Sequence, residues 1–227
     1  MGDGKAPDEW MYGATAFELL SLAFLLPTKD TAEALVAGEF ADACEEVLVA
    51  LECESAARDE ITSFLSGYGG KDAEEVFHVL RTEYTYLFVG EREPRVTPFI
   101  GVWAAHERGQ KGLLFVNKES VEIEHFMRDR GVTKNLAAGQ VNDPVDHIGT
   151  VFEFVKYLCL VNAKAIQAPE NVAIEEGDYE TFVCEYVSFY ARWFADQVFE
   201  QARCPFYKAM ALFLGQVLEL FAPKRSA

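Results

Sequence analysis

Along nearly the whole chain the apolar residues recur at helical spacing, and no run of strict alternation is long enough to argue for a sheet. An all-α fold of about eight to ten helices is therefore expected. Asp8 is placed to cap a first helix that buries Trp10, Phe17, Leu20 and Phe24 and stops at Pro27. Asp30 with Glu33 has the spacing of a capping box for the next segment, which Gly38 divides before "EFADACEEVLVAL". A shorter helix around "ARDEITSFL" ends at "GYGG". Asp72 and Glu75 then open a helix whose Phe77, Leu80, Tyr84, Leu87 and Phe88 form one buried stripe closed by Gly90. From Gly90 to about Lys118 the period breaks into prolines, glycines and aromatics, and this is expected to be a long functional loop, residues 90–118. Helices follow near 119–130, after "NDPVDHIG" with Ile148, Val151, Phe152, Val155, Leu158 and Cys159 inward, through "YETFVCEYVSFYARWFADQVFEQA", and from Pro205 through Phe221.

A chain of 227 residues with half of them hydrophobic suffices for one core, so a single helical domain over 1–227 is expected. Twenty basic against 37 acidic residues give a net charge of −17, which repels phosphate backbones and anionic membrane surfaces. Nucleic-acid binding and membrane insertion are disfavoured, and a basic peptide or cationic protein segment is the complementary partner. Five cysteines without a CxxC spacing read as reduced, buried thiols of a cytoplasmic protein. The N-terminus lacks a secretory pattern, and "FELLSLAFLLP" is too short to span a bilayer.

The stretch "NDPVDHIG", residues 142–149, holds one of only four histidines. Asp143 before Pro144, with Asp146 three residues on, is by itself a helix start, with the proline in the first turn. That account leaves His147 unexplained, because a helix N-terminus favours the neutral imidazole. A neutral His147 beside the Asp146 carboxylate suits hydrogen bonding to a peptide. The residues alone leave both readings open.

"NDPVDHIG" resembles the E-P-x-D-H-x-G segment of the TorD/DmsD/NarJ family of redox-enzyme maturation chaperones. "EYTYLFVG" (83–90) followed by "TPFIGVW" (97–103) is similar to that family's Y-x-x-L-F-x-G and downstream P-P-W-G-x-V-W/Y loop, and "CPFYKAM" (204–210) to its H-P-F-Y-x-A-L helix start. The departures are Asp143 in place of Glu, Phe99 where Trp is common, and Gly101 one place late. The resemblance implies an all-helical, non-catalytic cytoplasmic chaperone without cofactor, monomeric or a helix-swapped dimer. Its expected partner is the apo catalytic subunit of a molybdopterin oxidoreductase, gripped at a twin-arginine signal peptide until the cofactor is inserted. The residues it implies for that contact are Asp143, Asp146, His147, Pro98, Phe99 and Trp103.

The rival is an enzyme. Glu75-x-x-His78 and Glu122-x-x-His125 have the spacing that puts two metal ligands on one helical face, as in di-iron carboxylate bundles, with Glu18, Glu45 and Glu185 as nominal further ligands. Asp146 and His147 as an acid–base pair is weaker, since adjacent helical residues point about 100° apart.

Overall fold

The computed structural model describes residues 5–114, 116–133, 144–175 and 177–222. Among them the chain is all-α: α1 (Pro7–Phe24), α2 (Lys29–Ala37), α3 (Glu39–Ala50), α4 (Ser55–Ser66), α5 (Ala73–Tyr84), α6 (Ile100–Glu107), α7 (Lys118–Asp129), α8 (Ile148–Asn162), α9 (Asp178–Phe182), α10 (Ser188–Gln201) and α11 (Pro205–Phe221). Wide π turns extend α5 through Thr85–Val89 and join α9 to α10 through Val183–Val187. Counting α9 and α10 as one rod, the described residues make ten helices.

Local chemistry sets most of the boundaries. The Asp72 carboxylate accepts from Glu75 N–H at 2.9 Å and starts α5 as expected. Gly38, at φ +87°, takes the left-handed conformation that ends α2 and lets α3 leave in a new direction. Elsewhere the caps differ from the expectation. Pro7 begins α1 one residue before Asp8, and Glu9 reaches back to Ala6 N–H. Thr28, not Asp30, caps α2 by accepting from Thr31 N–H. Thr28 and Asp30 lie two residues apart, and the helix starts at the earlier of these two candidate caps.

The buried side chains form one continuous cluster running from Trp10 to Phe221. α1 lies along α8 and also packs on α3 and α11, α4 and α10 flank α11, and α2 covers α5. At the centre Phe24 of α1 meets Phe194 of α10 edge-on at 5.0 Å, and Phe88, from the π turn after α5, stacks on the same ring at 5.6 Å. Tyr207 of α11 closes this group against Phe88 at 5.7 Å. The wide turn matters here, because one extra residue in the turn redirects the side chains that follow it.

Buried Glu83 ties α5 to the start of α11. Its carboxylate accepts from the backbone N–H of Arg203 and Cys204 at 2.5 and 3.2 Å and from the Arg203 guanidinium at 2.8 Å. The segments 83–90 and 204–210 are thus joined through space, and the Tyr68 hydroxyl adds an acceptor for Phe206 N–H.

Two expectations are corrected. Residues 90–118 are not a structureless loop, since α6 fills their middle; Ile100, Trp103, Ala104 and Ala105 bury it on several sides, so its sequence shows no amphipathic period. The five free cysteines are not all buried, for Cys184 is exposed and Cys53 half-buried. Among the described residues no helix is long and apolar enough to cross a membrane.

Candidate functional site

The segments around Pro98 and His147 meet as a short antiparallel bridge between Phe99 and His147. Ile148 N–H donates to the Pro98 carbonyl at 2.8 Å, and Ile100 N–H donates to the Asp146 carbonyl at 3.2 Å. Each bridged residue is followed at once by a helix, α6 from Ile100 and α8 from Ile148. Two helix N-termini therefore start side by side, and each needs acceptors for its first N–H groups.

Asp146 and His147 supply them. The Asp146 carboxylate accepts from Gly101 N–H in α6 at 2.8 Å, and its same oxygen accepts from the Ser120 hydroxyl of α7 at 2.8 Å. His147 caps its own helix: Nδ1 accepts from Gly149 N–H at 3.2 Å. Nδ1 is thereby unprotonated, so in the neutral ring Nε2 carries the hydrogen and donates it to the Tyr84 hydroxyl at 3.2 Å. Burial lowers the His147 pKa from 6.5 to about 4, so the ring is neutral at neutral pH. Burial raises the Asp146 carboxyl above its usual value, while the bonds from Gly101 and Ser120 oppose that rise.

Both glycines beside these caps are sites of close approach. A Cβ on Gly101 would lie 2.3 Å from Ser120 Oγ and 2.8 Å from Asn117 Cβ, and one on Gly149 would lie 2.6 Å from Leu25 Cγ. The position of Gly101, one place later than the resemblance leads one to expect, is the position where α6 touches α7.

Against this junction opens a cleft of about 740 Å³. His147, Pro98, Phe99 and Trp103 all line it, joined by Tyr84, Phe88 and Trp193. The Phe99 ring sits edge-on to the His147 ring at 5.3 Å. The rim carries apolar side chains that face solvent: Val89 is 53% exposed, and Leu26 and Leu114 are exposed as well. Its charged residues are Arg92 and Arg95 against Glu93 and Glu107, a formal balance of zero. Arg95 lies over the Tyr86 ring at 4.1 Å, and Arg203 lies over the same ring at 3.4 Å.

The expected site residues thus divide. His147, Pro98, Phe99 and Trp103 come together at one cleft. Asp146 does not line it; it is buried, with Oδ2 engaged by α6 and α7 and Oδ1 without a hydrogen-bond partner among the described residues. Pro144 is not in the first turn of the helix either, since α8 begins four residues later with His147 as its cap. Asp143 lies outside the described residues. The cleft residues that sequence reasoning missed include Leu26, Val89, Arg92, Arg95, Leu114 and Trp193; Tyr84, assigned to the core, is buried and also forms part of the wall.

The alternative chemistries find no support in the geometry. Glu75 and His78 are exposed on α5, where His78 Nε2 lies 3.5 Å from Glu74. His125 is exposed on α7, and Glu122 lies 3.5 Å from Lys118. Among the described residues no three His, Cys, Asp or Glu side chains gather as metal ligands. Asp146 and His147 have separate partners and do not form an acid–base pair.

Comparison with known proteins agrees with this architecture. A crystal structure of a proposed redox enzyme maturation protein from Archaeoglobus fulgidus superposes with a TM-score of 0.50 over 88% of this chain and 91% of that one, at 19% identity, which is a likeness of fold. A search of curated proteins finds no significant match. The family model described as nitrate reductase delta subunit matches residues 50–196, a span that holds α4 through most of α10, both helix N-termini and nearly the whole cleft. The chain belongs to the nitrate reductase delta subunit family.

Proposed function

We propose that the chain is a cytoplasmic, non-catalytic chaperone of redox-enzyme maturation. It binds the apo catalytic subunit of a molybdopterin oxidoreductase at a twin-arginine signal peptide and holds it until the cofactor is inserted. The observation that carries this reading is the cleft: aromatic walls, a solvent-facing apolar rim and neutral net charge, in a member of this family. Such a surface has more to gain from an apolar peptide stretch than from water, and exposed apolar residues gathered around a cleft mark an interaction site. The acidic body outside the cleft attracts the basic head of the peptide as it approaches.

The test is calorimetric titration with a synthetic peptide that carries a paired-arginine head and a leucine-rich stretch. Binding that falls tenfold or more in Val89→Asp, a rim change that leaves the core alone, is the expected result. Equal affinity of the two proteins, or no binding by the wild type, would sink the assignment of the cleft. Recovery of a molybdoenzyme catalytic subunit with the protein purified from its native cytoplasm identifies the client.

A further inference from the structure

α10 and α11 pack side by side, tied by the ion pair of Arg192 with Glu219. Between them runs a groove of about 410 Å³ that shares no lining residue with the cleft. Half-buried Phe199 and Leu212 give it an apolar wall, and exposed Asp196 and Glu200 give it an acidic one. Among the described residues no base lines it. Asp196 and Glu200 stand at i and i+4 on α10, the spacing that puts two side chains on one helix face, where like charges repel. Neither has an ion-pair partner among the described residues; Glu200 accepts from the Gln197 amide at 3.4 Å. The nearby bases are placed otherwise: Arg192 on Glu219, and Lys208 with its ammonium over the Phe199 ring, 5.7 Å from the centroid.

A second feature belongs to the same groove. Gly215 lies inside α11, where glycine weakens a helix relative to alanine. The fold does not call for it: its backbone is not in the left-handed region, and nothing lies within 4 Å of an added Cβ. What the missing side chain does is keep the α11 side of the groove open. Two unpaired carboxylates and a glycine without a structural reason therefore face one space.

We propose that this groove is a docking site for an arginine side chain of a partner protein. The guanidinium donates to the carboxylates of Asp196 and Glu200, and its aliphatic stem rests on Phe199 and Leu212 in the space that Gly215 leaves. Arginine suits the groove better than lysine does. Its planar fork of donors matches carboxylates and packs against an aromatic ring, whereas an ammonium is a compact, strongly hydrated charge. The net charge of −17 favours the approach of such a cation, and binding relieves the repulsion between the two carboxylates. The groove stands apart from the cleft and does not depend on what the cleft binds.

The experiment is a two-dimensional NMR titration of the full, isotope-labelled chain at low salt with three probes: acetyl-arginine amide, acetyl-citrulline amide, which keeps the shape and lacks the charge, and acetyl-lysine amide. The arginine probe is expected to shift the Gly215 backbone amide and the Gln197 side-chain amide saturably, the lysine probe more weakly, and the citrulline probe not at all. Asp196→Asn and Glu200→Gln, both on an exposed face, should each weaken the arginine probe about two- to fivefold. Gly215→Leu, which fills the groove with a good helix former, should abolish the shift at Gln197. No saturable shift, equal binding of the lysine or citrulline probe, or undiminished binding by both carboxylate variants overturns the proposal. Thermal melts establish that the variants fold, and the carboxylate variants decide the matter alone if Gly215→Leu does not.

Discussion

At the scale of single residues, Asp146 and His147 are adjacent in sequence and opposite in their electrostatics. His147 has its pKa depressed from 6.5 to about 4, so the unfolded chain binds a proton there that the folded chain refuses. Its contribution to stability is complete above pH 6.5 and is lost as pH falls towards 4, on the order of 3 kcal/mol in all. Denaturant melts at pH 7 and pH 4.5 should show this loss in the wild type and a smaller one in His147→Asn, which keeps a short acceptor for Gly149 N–H. Asp146 has the reverse sign. Its folded pKa is raised, so its ionisation costs stability as pH rises through that value. Asp146→Asn keeps an acceptor for Gly101 without the charge, and should be as stable as the wild type or more so at pH 7. Asp146→Ala leaves Gly101 N–H and Ser120 without their partner and should cost about 1–3 kcal/mol in the same melts. A client-facing aspartate would instead tolerate alanine and lose only binding.

At the scale of elements, the glycines of the helices separate into those that are needed and those that are not. Gly101 lies where α6 meets α7, and a methyl group there runs into Ser120 and Asn117. Ser120 cannot turn away without giving up its bond to Asp146, and Asn117 is held by its side-chain bonds to Leu113. Gly101→Ala should therefore cost about 1–3 kcal/mol. Gly215, inside α11, has nothing within 4 Å of an added Cβ. Gly215→Ala should gain about 0.4–1 kcal/mol by restricting the unfolded chain. Thermal melts of the pair check both signs, and destabilisation by Gly215→Ala would show that the open space above α11 is used. The helices themselves were largely legible, because their cores follow a 3.6-residue period that depends on local spacing alone. α6 was not, since a short helix buried on several sides has no polar face to mark it. Nor were the π turns, whose extra residue leaves no compositional trace.

At the scale of the whole molecule, the cleft draws on Leu26 just after α1, the end of α5 and the turn that follows it, residues 92–99, α6, the segment before α7, His147 and α10. Spacing along the sequence gives each segment but not their meeting, so Phe99, Trp103 and His147 were legible as a motif, while Leu26, Leu114 and Trp193 were not. The same distance between sequence and surface applies to charge. The net charge of −17 suggested a surface complementary to a basic peptide, yet the charged cleft residues cancel, and a dense acidic surface lies on α3, α4 and the turn between them, where Glu39, Asp42, Glu45, Glu46, Glu52, Glu54, Asp59 and Glu60 are all exposed and Arg58 is the one base between residues 39 and 60. Two consequences of salt should therefore separate in time. The field of the whole chain acts on a basic peptide before contact, and screening it, with a Debye length of about 10 Å at 0.1 M and about 3 Å at 1 M salt, slows association. Once the apolar stretch is seated, its release is governed by a neutral aromatic cleft on which salt acts little. Stopped-flow binding of the paired-arginine, leucine-rich peptide across that range should show an association rate that falls several-fold and a dissociation rate that stays nearly constant. If dissociation accelerates with salt as strongly as association slows, the bound state is held by charge, and the peptide rests on the acidic surface instead of in the cleft.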